Sequence, residues 1–295
     1  MKYILLLLLP LYLMSFDKMA FLNNSDSNLS KNKSDINLIL ESIYSNSDHK
    51  VGIDKLKNLA NNGNQRASFY LGSLLENINK TESIYFYKKA LSMGNYLSAY
   101  NLGLLYMKDN QNKAAIHYLT IAKNNNTKEA ILPLAVLTKN EDLYKTATKL
   151  DIKNSNTLYS EYLLKNDNND YAKYADIAYK KKESFVLWAK SLMDNNKTKE
   201  AISVLNEGSM LVDKKSKIVL GSLFYKKFPE KSISLLKNID SSESRAILAK
   251  AYFYNNQPKL SLGLINGLKN KDNELIEIKD KICSKTNYCL EYLND

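Results

Sequence analysis

Residues 67–75 read ASFYLGSLL and residues 99–107 read AYNLGLLYM. Each stretch has a large apolar residue directly before a glycine and a second one three positions after it. Outward from these two stretches, the same arrangement recurs until it has appeared seven times, and only Thr138 interrupts the second apolar column. Its small residues are Gly72, Gly103, Ala135, Ser160, Ala189, Gly221 and Ala249. Their spacing of 25 to 32 residues is typical of a helical solenoid, in which each repeat is one pair of helices.

Each motif predicts the first helix of a repeat, helix A, because positions three and four apart share one helix face. A glycine within a helix costs about 1 kcal/mol relative to alanine, so we expect a neighbouring helix to approach closely at Gly72, Gly103 and Gly221. A second apolar-periodic run, helix B, follows each helix A after a short linker rich in Asn and Asp. With no strand-like alternation, the sequence predicts an all-α solenoid of about eight antiparallel helix pairs.

The first and last helix pairs lie outside the seven motifs. Residues 35–45 and 52–62 form the predicted first pair, and residues 272–283 and 287–293 form a terminal pair that caps the stack. The sequence therefore predicts one repeat domain over residues 35–295.

Three stretches carry a resemblance to a known family: ASFYLGSLL from Ala67, YKKALSMGN from Tyr87 and AYNLGLLYM from Ala99. They resemble Sel-one-like repeats, which are relatives of the tetratricopeptide (TPR) repeat, while the later motifs fit only a general TPR-like description. The resemblance implies a right-handed α-α superhelix that binds partners on its concave face. Because helix A lines that face in the family, the implied contact positions are Phe69, Ser73, Tyr100 and Met107.

One bacterial branch of this family is cysteine-rich, and some of its members have been labelled β-lactamases. The present chain departs from that branch because it contains two cysteines in total. It also has no Ser-x-x-Lys nucleophile in a supporting context, so a hydrolase of this type is the least favoured alternative. No phosphate-binding glycine loop, metal-ligand cluster or catalytic triad spacing is present, and the sequence predicts no enzyme activity, cofactor or metal site.

The N-terminus has the pattern of a secretion signal. Lys2 precedes an apolar run from Ile4 to Met14, which is too short to span a bilayer, and a plausible cleavage site follows Ser15. Residues 1–15 are therefore a predicted signal peptide, with an uncleaved membrane tether as the alternative. Residues 16–34 are rich in Asn, Ser and Lys and are a predicted disordered polar tail. The expected location is the bacterial periplasm, or outside the cell.

The two cysteines, Cys283 and Cys289, are consistent with export. Within one helix their six-residue spacing would point them apart, but residues 284–287 allow a turn that brings them together. A structural disulfide is the favoured interpretation. Two free thiols, or a redox or metal pair, are the alternatives, although Cys-x-x-Cys spacing and a nearby histidine are both missing.

The chain carries a formal charge of +11, which arises from lysine: arginine occurs only at Arg66 and Arg245. Base and phosphate recognition favour arginine, and the lysines are dispersed, so nucleic acid is not an expected partner. Weak attraction to an acidic polysaccharide or a membrane surface is compatible with this charge.

The tyrosine content gives the last clue: the chain has 21 tyrosines, of which Tyr106, Tyr159 and Tyr252 stand on the repeat columns and others stand beside them. Their rings either fill the space between helices or line a groove. Together these features predict an exported repeat scaffold or adaptor that mediates protein–protein interaction in an envelope assembly. The alternative is a binding module for cell-wall or exported polysaccharide, which requires exposed aromatic rings on the concave face.

Overall fold

The computed structural model describes residues 36–40, 43, 49–286 and 288–291. These residues are helical or in turns, with no strand among them, and successive helices pack in adjacent pairs. The prediction of an all-α chain of helix pairs is therefore confirmed. The predicted signal peptide (1–15) and the predicted polar tail (16–34) lie outside the described residues.

The chain divides into two compact units, with the boundary between Ser155 and Asn156, where the sequence predicted one domain over 35–295. In unit 1, residues 36–40 are helical and are followed by seven helices that pack in chain order, with a short 3-10 turn (Lys128–Ala130) before α6. These helices are α1 (His49–Asn61), α2 (Gln65–Leu75), α3 (Lys80–Ser92), α4 (Tyr96–Lys108), α5 (Asn112–Asn124), α6 (Ile131–Thr138) and α7 (Glu141–Lys149).

Unit 2 contains the remaining helices of the described chain. They are α8 (Ser155–Lys165), α9 (Tyr171–Lys180), α10 (Phe185–Asp194), α11 (Thr198–Met210), α12 (Lys214–Phe224), α13 (Pro229–Leu236), α14 (Ser242–Tyr254), α15 (Pro258–Asn266), α16 (Asn273–Lys285) and α17 (Tyr288–Glu291). Helices α10, α12, α14 and α16 also pack side by side, each on the next. Helices α10, α12, α14 and α16 therefore form a layer, and the first three of them are predicted A helices.

The polar linkers end one helix and begin the next. At helix starts, Asn79 and Asn95 accept a hydrogen bond from the backbone N–H three residues later, which satisfies a group the helix leaves unpaired. At helix ends, residues such as Asn110 and Asn196 adopt positive φ. Asn tolerates this left-handed conformation better than most residues, which explains part of the high Asn content of the linkers.

The seven small motif residues are all buried, and each lies within an A helix. A Cβ atom added to Gly72 would lie 2.6 Å from the ring of Tyr87, and one added to Gly221 would lie 2.5 Å from Cδ1 of Leu236. Both partners are completely buried side chains of the following B helix. Gly72 and Gly221 therefore allow α2 and α12 to approach the following B helices more closely than any side chain at these positions would permit.

Buried serines fasten the helix pairs at the same positions. In three pairs a B-helix hydroxyl donates a hydrogen bond to the carbonyl of the small A-helix residue. The bonds are Ser83 to Gly72 at 2.6 Å, Ser232 to Gly221 at 2.9 Å and Ser261 to Ala249 at 2.7 Å. A helix carbonyl has a spare lone pair, so the bond satisfies the buried hydroxyl without breaking the helix.

The end of unit 2 is closed by a disulfide between Cys283 in α16 and Cys289 in α17, with the two Cα atoms 5.3 Å apart. Helix α16 ends at Lys285 and Thr286 is extended, so the two cysteines lie on separate helices, as the disulfide interpretation required. Tyr288 and Cys289 pack against the core that α14 to α16 bury, and Lys259 lies over the Tyr288 ring. The disulfide thus holds the last short helix against this core.

Reduction of this disulfide is expected to lower the free energy of unfolding of unit 2 by about 2 kcal/mol, because a closed loop restricts the unfolded chain. Urea unfolding with and without dithiothreitol measures the change. The double variant Cys283→Ser/Cys289→Ser should match the reduced protein and show no further response to dithiothreitol. A wild-type protein whose unfolding ignores the reductant would contradict this expectation.

Candidate interaction surface

The structure separates the four implied contact positions into two classes. Phe69 and Tyr100 are each 6% exposed and pack in the core of unit 1, so they are core residues and cannot serve as contact positions. Their rings fill the space between neighbouring helices, which is the first of the two roles considered for the aromatic residues. Ser73 and Met107 are half-buried, which leaves part of each side chain open to a partner.

The columns that contain Ser73 and Met107 continue into unit 2. Ser222 and Lys250 directly follow the small residues Gly221 and Ala249, as Ser73 follows Gly72. Tyr225 lies four positions after Gly221, as Met107 lies four positions after Gly103. Tyr225 directly follows the last residue of α12 with helical backbone angles, so Ser222 and Tyr225, three apart, lie on the same side of this helix end.

A connected group of polar side chains in unit 2 includes Tyr225 and Lys250 of these columns. We call it the tyrosine–lysine cluster: Tyr225, Lys250 and Tyr254 from the region of α12 and α14, and Asp272 and Glu274 from the start of α16. The Tyr225 hydroxyl donates to both Glu274 carboxylate oxygens at 3.1 and 3.0 Å, and the Tyr254 hydroxyl donates to one at 3.4 Å. The two tyrosine ring centroids are 5.8 Å apart.

Lys250 is the centre of this cluster. Its ammonium nitrogen lies 2.7 Å from Asp272 and 2.9 Å from Glu274, and its side chain is only 12% exposed. The same nitrogen lies 5.7 Å from the centre of the Tyr225 ring, within cation–π range. Lys226 lies in a similar position over Tyr254, at 5.5 Å. The cluster thus links α12, α14 and α16 of the layer. The rings of Tyr225 and Tyr254 are half-exposed and lie between charged groups.

Both groups at the centre of the cluster hold their protons more tightly than usual. Burial works against the charged form of Lys250, but hydrogen bonds to Asp272 and Glu274 outweigh it and raise the pKa of the lysine. Burial, together with the hydrogen bond and negative charge of Glu274, raises the pKa of Tyr225 to about 12. The pKa of Asp272 is lowered because hydrogen bonds from Lys250 and from backbone N–H groups outweigh its own burial.

These raised pKa values predict that unit 2 loses stability at alkaline pH. A group whose pKa is higher in the folded state stabilises it fully below the unfolded pKa, which is about 10 for tyrosine and lysine. That contribution disappears as the pH rises through about 12, where Tyr225 itself ionises. Urea unfolding between pH 9 and pH 12 measures the loss.

The variant Tyr225→Phe is the control for alkaline unfolding, because it removes one ionising hydroxyl and retains the ring. Its free energy of unfolding should fall less steeply over the same pH range than that of the wild type. Identical slopes would show that Tyr225 does not contribute to the alkaline loss.

Tyrosine–carboxylate pairs recur away from this cluster. The Tyr87 hydroxyl donates to Glu76 and accepts from the Asn101 amide at 3.0 Å. In unit 2, Tyr171 donates to Asp194, and Tyr179 donates to Glu207 at 2.8 Å. These bonds tie neighbouring helices together, so these three tyrosines combine packing with a polar end group.

The described residues contain no group of three or more His, Cys, Asp or Glu side chains that could hold a metal ion. None of the helices within the described ranges is long and apolar enough to cross a membrane. Compared with known proteins, the chain matches no family model and no curated protein.

The sequence pointed to the columns of this surface but not to the cluster itself. Lys250 and Tyr225 stand in columns that the motif defines, so the sequence alone places a lysine and a tyrosine at these positions. Their partner Glu274 is 49 residues from Tyr225 and lies outside the seven motifs. A signal for this contact was absent because it depends on how α16 packs on α14.

Proposed function

We propose that the protein is an exported helical-repeat scaffold, of Sel-one-like or TPR-like type, that holds a protein partner in an assembly of the bacterial envelope. The observation that carries this proposal is the layer of α10, α12, α14 and α16 in unit 2, which bears the tyrosine–lysine cluster with its half-exposed rings. Half-exposed rings between fixed charges suit a polypeptide, which offers apolar, cationic and anionic groups at short intervals.

The burial of aromatic rings supports a protein partner over a polysaccharide. A glycan site requires several open rings. Phe69, Tyr100 and Tyr159 in the A helices are buried and cannot contribute to such a site, although Tyr106, Trp188 and Tyr252 are half-buried. The export part of the proposal depends on residues 1–15 and is supported in the described chain by the Cys283–Cys289 disulfide, since such bonds persist in oxidising compartments.

Site-specific photocrosslinking in the native cell tests this proposal. A photoreactive amino acid at Ser222 stands on the proposed face, and one at Ser234 on α13 stands on the B helix of the same pair as a matched control. We expect a discrete protein adduct from Ser222 that is missing from Ser234, with the partner identified by mass spectrometry.

Two other results would count against the scaffold proposal. An adduct of glycan alone at Ser222 would favour the polysaccharide-binding module. Equal yields from Ser222 and Ser234 would mean that the face of α12 that carries Ser222 has no special role.

Protease protection of the full chain in intact cells, lost when the outer membrane is permeabilised, tests its periplasmic location.

A further inference from the structure

Three consecutive large apolar residues are exposed at the turn between α11 and α12. Met210 is 83% exposed, Leu211 53% and Val212 70%. The other exposed large apolar residues in the described chain are not consecutive in this way. We call residues 210–212 the apolar turn.

The backbone of this turn is also unfavourable for its sequence. Val212 has a φ of 64°, and the described non-glycine residues that share a positive φ are otherwise Asn, Asp or Lys. A β-branched side chain is strained in this conformation. Lys182 occupies the same position in the turn between α9 and α10: its N–H donates to the Tyr179 carbonyl at 2.8 Å, as the Val212 N–H donates to the Ser209 carbonyl at 3.2 Å.

Lysines surround the apolar turn. A Cβ atom added to Gly208, near the end of α11, would lie 2.8 Å from the ring of Phe185 at the start of α10. The turn before α10 and the apolar turn are therefore neighbours. Lys180, Lys181 and Lys182 are exposed in the first, and Lys214 is exposed directly after the second.

The acidic groups nearby already have partners, including Glu207, three residues before Met210, which accepts from the Tyr179 hydroxyl at 2.8 Å. Asp176 accepts a hydrogen bond from Lys180 at 2.6 Å, and Asp213 caps α12 by accepting from backbone N–H groups. Glu183 is half-buried and also has an interaction partner. This end of unit 2 thus presents exposed apolar side chains within a rim of positive charge.

We propose that unit 2 docks on an anionic lipid bilayer through the apolar turn and the neighbouring turn before α10. The apolar turn enters the interfacial layer, and the surrounding lysines lie against lipid phosphates. Exposed apolar side chains gain free energy on leaving water, and each nearby lysine adds attraction to an anionic surface. A lipid surface fits this turn because its exposed side chains are apolar at the tip and cationic around it. The proposed scaffold would then hold its protein partner at the membrane.

Vesicle binding by the full chain tests the proposal. The probes are vesicles of phosphatidylglycerol mixed with phosphatidylethanolamine, and vesicles of phosphatidylcholine alone. We expect the triple variant Met210→Ser/Leu211→Ser/Val212→Asn to bind the anionic vesicles about ten-fold more weakly than the wild type. Residues 1–15 are common to both chains, so the difference reports on the turn.

Two further variants separate docking from folding. Phe228→Ser removes an exposed apolar residue in the turn that follows α12 and should bind like the wild type. Val212→Asn places a residue suited to positive φ in the turn, so it should raise the urea midpoint while it weakens vesicle binding. A binding loss without loss of stability cannot be attributed to unfolding.

Three results would overturn the proposal. The first is a triple variant that binds anionic vesicles as tightly as the wild type. The second is equal binding of neutral and anionic vesicles by both chains. Alternatively, the wild type would self-associate in solution through the turn and the triple variant would not, which would make a second copy the occupant. A failed photocrosslinking experiment at Ser222 would not affect the vesicle-binding test, because the apolar turn and the face of α12 that carries Ser222 are different surfaces.

Discussion

The variant Gly221→Val is expected to destabilise unit 2 by about 3 kcal/mol, near the upper end for an overpacked core. A Cβ atom at this position would lie 2.5 Å from Cδ1 and 2.8 Å from Cγ of Leu236. Leu236 is completely buried and packs against Leu248, so it has no free space to occupy. The carbonyl of Gly221 also accepts the Ser232 hydroxyl at 2.9 Å, a bond that separation of α12 and α13 would lengthen.

A series at this position distinguishes overpacking from helix propensity. Gly221→Ala gains about 1 kcal/mol of helix propensity, which offsets part of the overpacking, so its net loss should be about 1 kcal/mol. Gly267→Ala is the matched control, because the nearest atom to its added Cβ is 3.6 Å away. That variant should be neutral or slightly stabilising. Trp188, the one tryptophan of the chain, reports unfolding of unit 2 by fluorescence.

A compensating substitution provides the decisive comparison. In the Gly221→Val background, Leu236→Ala removes the side chain that the new isopropyl group meets. We expect the two losses in the free energy of unfolding to be strongly non-additive, with the double variant more stable than the sum of the single losses predicts. Additive losses would show that the contact between Gly221 and Leu236 does not explain the need for a small residue.

The helices could be predicted because their signals are local. The motif around Gly72 and Gly103 marks one face of each A helix, and Asn79 and Asn95 mark the helix starts that follow. A glycine inside an apolar stripe also predicted close helix approach, because its conformational penalty requires compensation. These features depend on residues within one or two turns of each other.

The surface could not be predicted to the same depth. Tyr100 and Ser73 occupy the A helices that the family resemblance implies to be concave, yet the first is in the core and the second half-exposed. Sequence columns fix which helix a side chain belongs to but not how far the next helix covers it. The Tyr225–Glu274 contact and the exposure of Val212 likewise depend on packing between helices distant in the chain.

Removal of the Lys250 charge is expected to have the second large effect. The variant Lys250→Met retains most of the side-chain stem but leaves Asp272 and Glu274 without their shared cation. Breaking a buried ion pair by removing one partner is strongly destabilising, whereas breaking an exposed pair has little effect. Because Lys250 is 12% exposed and its acidic partners are 56% and 31% exposed, we expect an intermediate loss of about 2 kcal/mol.

Lys190 offers a matched control for this loss. It directly follows the small residue Ala189, as Lys250 follows Ala249, and it pairs with Asp194 at 3.0 Å. Its side chain is 36% exposed and its partner is 47% exposed, so Lys190→Met should cost about 0.5 kcal/mol. Urea unfolding of both variants at pH 7 gives the comparison. Equal losses would mean that burial does not strengthen the Lys250 pairs.

The second half of the Lys250 test neutralises its partner. In the Lys250→Met background, Glu274→Gln removes one of the two negative charges while its side-chain oxygen can still accept from Tyr225. Part of the lost stability should therefore return, and the pH dependence above pH 10 should be weaker than in the wild type. If Glu274→Gln instead adds a further full loss, the Glu274 carboxylate stabilises unit 2 through its charged hydrogen bonds with Tyr225 and Tyr254, independently of Lys250.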